Sequence, residues 1–142
     1  MAQAEIREKL NVDAEKMFQA VTRYEEYPKF VDGMVGAKCD RTQAGKVRVV
    51  YQINMMKDIT YTLDHTEDAA KRTVKWTLVE SDTFKKNDGC WEIKDLGSGK
   101  CEAFYSLDVE FKIPVPGFIL NRLVKGSLPT MIKSFEKRAR AL

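Results

Sequence analysis

A chain of 142 residues is long enough for one substantial hydrophobic core and too short for two, so a single domain spanning 1–142 is expected. Its 44% hydrophobic and 32% charged residues exclude the bias of disordered or collagen-like chains. The net charge of +3 is too mild to suggest a DNA-binding protein.

The opening MAQAEIREKL is charged at Glu5, Arg7, Glu8 and Lys9, so no secretory signal is expected. No apolar run approaches the roughly 20 residues that a membrane-spanning helix needs. Cys39, Cys90 and Cys101 are odd in number and form no CxxC pair, and the chain has one histidine to assist them. Neither a disulfide frame nor a metal site is expected, and a cytoplasmic location is the natural reading.

Residues 2–10 alternate, with Ala2, Ala4, Ile6, Glu8 and Leu10 on one face, as in a half-buried strand. Asp13 is placed to cap a helix whose apolar residues Ala14, Met17, Phe18 and Val21 recur at helical spacing, with Glu15 suited to its first turn. Pro28 must end or restart that helix, because the residue before a proline is pushed out of helical geometry. Two short helices are therefore expected.

The period then changes to two. Gly45 separates KCDRTQ from a strand aligning Val47, Val49, Tyr51 and Ile53, and the next strand aligns Ile59, Tyr61 and Leu63. Val74, Trp76 and Leu78 share a face, as do Trp91 and Ile93 after a turn at Ser81 and Asp82. Gly97 and Gly99 make the next turn, and Ala103, Tyr105, Leu107, Val109 and Phe111 align in the last strand. Pro114, Pro116 and Gly117 stop it. Leu120, Leu123, Val124, Leu128, Met131, Ile132, Phe135 and Ala139 then repeat at 3.6, which predicts a long amphipathic helix bent at Pro129.

The fold class is thus α+β. A curved antiparallel sheet of about seven strands, in the order β-α-α-β6-α, wraps a long C-terminal helix. One helix covers a curved sheet incompletely, which leaves an apolar cavity between them. The ligand-binding candidates are Glu8, Val49, Tyr51, Tyr61, Trp76, Trp91, Tyr105, Leu120, Val124 and Met131. Glu8 shares parity with Ala4, Ile6 and Leu10, so its carboxylate could enter the cavity. His65 ends the Ile59, Tyr61, Leu63 series beside Asp64, Glu67 and Asp68, and is read as solvated.

The chain resembles the START-like or Bet v 1-like (SRPBCC) helix-grip superfamily, and within it the polyketide cyclase/dehydrase group that also holds the Coq10 and RatA proteins. The likeness rests on VDAEKMFQAVTRYEEYPKFVDG, FKKNDGCWEIKDL and FKIPVPGFILNRLVKGSLPTMIKSFEKRA. It implies binding or transport of a hydrophobic small molecule: a lipid, an isoprenoid quinone or a polyketide-like compound. Two alternatives follow from the same likeness, a polyketide aromatase/cyclase and a ribosome-associating protein.

No Ser/His/Asp arrangement, HExxH, phosphate-binding glycine loop or nucleotide fingerprint is present, so no catalytic residue and no cofactor are assigned. From Gly117 onward, Arg122, Lys125, Lys133, Lys137, Arg138 and Arg140 face only Glu136. That basic helix is the candidate surface for peripheral membrane or ribosome contact, although cations near a helix C-terminus also favour its dipole. The oligomeric state is left open.

Overall fold

A computed structural model describes residues 2–55, 57–118, 121, 126 and 128–142. Seven strands form one antiparallel sheet: β1 (Ala2–Leu10), β2 (Met34–Gln43), β3 (Lys46–Met55), β4 (Lys57–Asp68), β5 (Thr73–Ser81), β6 (Phe84–Gly97) and β7 (Lys100–Phe111). Their spatial order is β1-β7-β6-β5-β4-β3-β2. Strands β2 to β7 form a meander, and β1 closes the far edge against β7, with Ala2 opposite Val109 and Leu10 opposite Cys101. Alternation decides which face is covered: Val47, Val49 and Tyr51 on β3 and Cys101, Ala103 and Tyr105 on β7 are all buried.

Helix α1 (Ala14–Thr22) starts where expected. The Asp13 carboxylate accepts from the backbone N–H of Glu15 at 3.1 Å and of Lys16 at 3.4 Å, satisfying two donors the helix cannot. The break that follows falls at Arg23 (φ −92°, ψ 68°), ahead of the expected Pro28. Pro28 lies inside a 3-10 helix, Tyr24–Lys29, whose short turns accept it. The Tyr27 hydroxyl donates back to the carbonyl of Val21, tying the two helical pieces together.

The last helix, α2, runs from Leu128 to Arg140 and buries Leu128, Ile132, Phe135 and Ala139. Gly126 has turn geometry, so Pro129 falls in the first turn of α2, where its missing N–H leaves no bond unmade. The expected mid-helix bend is replaced by this new start, and the earlier part of the apolar stripe, Leu120, Leu123 and Val124, lies outside the described residues. The end of α2 is clamped. Glu136 accepts from the backbone N–H of Asn11 at 2.8 Å, Arg140 donates to the Asn11 carbonyl at 3.2 Å, and Arg138 pairs with Glu26. Among the described residues no helix is long and apolar enough to cross a membrane.

Candidate functional site

Between the sheet and its covering helices lies a cavity of about 170 Å³. Strands β3 to β7 supply most of its wall, the 3-10 helix contributes Tyr24 and Tyr27, and α2 contributes Met131 and Phe135. The register explains why the aromatics gather. Tyr51 lies directly across from Tyr61, His65 from Trp76 and Trp91 from Tyr105, all on the covered face. Their rings pack at centroid distances of 5.3 Å for Tyr51 and Tyr61 and 4.9 Å for Trp91 and Tyr105.

One glycine makes that packing possible. A Cβ at Gly89 would collide with the Trp76 indole and with the Ser106 carbonyl oxygen, so the indole lies flat on β6 only because residue 89 has no side chain. Held there, Trp76 donates its Nε1–H to Asn87 Oδ1 at 3.2 Å.

Six of the ten ligand-binding candidates line the cavity: Tyr51, Tyr61, Trp76, Trp91, Tyr105 and Met131. Val49 does not reach it. Its side chain is fully buried in the packed layer of β3. Glu8 is exposed, which corrects the expectation that its carboxylate enters the cavity. Strand β1 is one of the two edge strands and pairs with β7 alone, so although Ala4 and Leu10 of the same parity are buried, a long charged side chain there still reaches water past the sheet's rim. Leu120 and Val124 lie outside the described residues.

His65 is the larger correction. Expected in solvent, it is only 4% exposed and forms part of the cavity wall. Its acidic neighbour Asp64 points to the opposite face, where it takes two bonds from Arg48 at 2.7 and 2.9 Å. His65 Nδ1 lies 3.3 Å from the Val47 carbonyl oxygen, and Nε2 lies 3.1 Å from the Tyr51 hydroxyl. The Tyr24 ring packs over the imidazole at 4.3 Å, while its hydroxyl donates to Glu67 Oε2 at 2.6 Å.

Burial sets the charge state of this cluster. Desolvation pulls the His65 pKa down to about 4, against the partial support of the Val47 carbonyl and of Asp64. The same desolvation raises the hydroxyls of Tyr24, Tyr27, Tyr51, Tyr61 and Tyr105 above the usual phenolic value. At neutral pH the whole wall is uncharged, and a histidine held neutral so firmly is a weak proton acceptor.

Tyr24, Tyr27, His65, Asn87 and Phe135 are cavity residues that the sequence candidates did not include. For His65 the signal was present in its parity with Ile59, Tyr61 and Leu63. For Phe135 it lay in the apolar stripe of the last helix.

A curved seven-stranded antiparallel sheet gripping a C-terminal helix over an apolar cavity defines the START-like, or Bet v 1-like, helix-grip class. A START superfamily protein from Mycobacterium smegmatis superposes with a TM-score of 0.86 at 22% identity, covering 98% of this chain and 97% of that one. The Zhui aromatase/cyclase from Streptomyces superposes with a TM-score of 0.87 at 12% identity, covering 98% and 93%. The chain belongs to the family described as polyketide cyclase/dehydrase and lipid transport, which matches residues 10–136. The ribosome association toxin RatA of Escherichia coli is 24% identical over 127 residues, 89% of this chain and 80% of its own length.

Proposed function

We propose that this protein binds, and releases or transports, a small hydrophobic molecule in the cavity between the sheet and α2, without transforming it. The observation that carries this reading is the cavity itself, about 170 Å³ walled almost wholly by aromatic and aliphatic side chains with a few fixed polar tips. Space of this kind excludes water poorly matched to it and rewards apolar burial at about 25 cal/mol per Å². Its volume is close to that of an engineered apolar cavity of about 150 Å³ that accommodates benzene. One ring therefore fits: the head of an isoprenoid quinone or one ring of a polyketide-like compound. A longer acyl or prenyl chain has to extend beyond it or push side chains aside.

Native mass spectrometry of the purified protein, with organic extraction, tests this reading. A copurifying apolar molecule, or a thermal shift with members of a quinone and lipid panel, is expected. Absence of both sinks it.

The match to RatA favours a second reading, contact with the ribosome through the basic α2. Arg138 and Arg140 are engaged with Glu26, Glu136 and Asn11, and of the basic residues described on α2 only Lys133 and Lys137 have no ion pair among the described residues. Sedimentation with ribosomes that weakens as salt rises would support that reading, and absence from ribosomal fractions at every salt concentration would reject it.

A further inference from the structure

We infer that the ligand of this cavity carries a hydrogen-bond donor, a ring hydroxyl or N–H, set against the phenolic oxygen of Tyr51; this rests on the cavity being a binding site. A backbone carbonyl only accepts, so the contact of 3.3 Å between His65 Nδ1 and the Val47 oxygen puts a proton on Nδ1. A neutral imidazole holds one ring proton, which leaves Nε2 bare. The Tyr51 hydroxyl, 3.1 Å away, therefore donates to it. With its only proton committed, the Tyr51 oxygen meets the cavity as an acceptor.

The same accounting holds for its neighbours. Tyr24 gives its proton to the Glu67 carboxylate, Tyr27 to the Val21 carbonyl and Trp76 to Asn87 Oδ1. None of these three groups keeps a proton free for a ligand, and the Asn87 amide, which accepts from Trp76 through Oδ1, holds its own N–H donors elsewhere on the wall. A carbonyl or ether oxygen placed against Tyr51 loses its water and finds another lone pair, whereas a hydroxyl finds a partner. The Tyr61 and Tyr105 hydroxyls, unpartnered among the described residues, can turn to either role and impose no such preference. The ligand class is a hydroxylated ring rather than its oxidised or capped counterpart.

Titration of the full chain with phenol, toluene and anisole, followed by chemical-shift perturbation, tests the inference. Phenol and toluene have nearly one shape, and anisole keeps an acceptor without a donor. Tyr51→Phe is expected to weaken phenol about tenfold while toluene and anisole bind as before. If anisole weakens along with phenol, or phenol does not weaken, the inference is overturned and the cavity reading stands. If none of the three binds the unsubstituted protein, both fall. A second measurement needs no substitution, because the chain has a single histidine. Nitrogen-15 shifts of that ring at neutral pH are expected to show the proton on Nδ1, and a proton on Nε2 overturns the assignment.

Discussion

His65 links the polar tips of the cavity to the stability of the fold. Its pKa is about 4 in the folded chain and 6.5 when free, so between those values the unfolded chain binds a proton that the folded one refuses. Stability from this residue is complete above pH 6.5 and is lost as the pH falls toward 4. The loss amounts to about 2 kcal/mol at pH 5. Asp64 and Arg41 are the charged groups that act on the ring, and Tyr24, Tyr51 and Trp76 pack against it. Urea denaturation at pH 7 and pH 5 checks this. The His65→Gln variant should lose less stability across that interval than the parent chain, and an equal loss would assign the effect to other groups. Gly89 is the second position where one atom decides. Gly89→Ala forces the Trp76 indole off β6 and presses on a backbone carbonyl that cannot rotate away, at a cost of about 1 to 3 kcal/mol. A changed tryptophan emission spectrum in the still-folded variant would accompany it.

Helix α1 depends on its cap and α2 on its anchor. Asp13→Ala removes the acceptor for two backbone donors and is expected to lower stability by about 1 kcal/mol, readable as a shift in the urea midpoint. Phe135 packs edge-on against Tyr27, Phe30 and Trp91, so Phe135→Ala should cost about 3 to 5 kcal/mol and open the cavity toward α2. The strands were legible before the structure because one face of an antiparallel sheet is covered, and alternation in Val47, Val49, Tyr51 or in Ala103, Tyr105, Leu107 records that directly. What alternation cannot record is which covered positions face empty space. Val49 and Tyr51 have the same parity, yet one is packed solid and the other lines the cavity. Parity also cannot tell an edge from a centre, which is why Glu8 was misplaced. His65 was misplaced because sequence neighbours on a strand point to opposite faces, and Asp64 speaks for the wrong one. The break at Arg23 left no proline or glycine to mark it.

Binding should be visible as stabilisation of the entire domain. A ligand that occupies the cavity only in the folded state adds about 2.7 kcal/mol at a concentration one hundred times its dissociation constant, and the melting temperature should climb with ligand concentration. A plateau reached at low occupancy would instead point to a surface site. The strand order also has a bearing on how the chain reaches this state. Because β1 lies beside β7, the first element made finds its partner only when the last strand exists, and a nascent chain must keep Ile6 and Leu10 from pairing elsewhere in the meantime. Closing so distant a seam is slow, which predicts refolding over milliseconds to seconds with the β1 amides among the last to gain protection from hydrogen exchange.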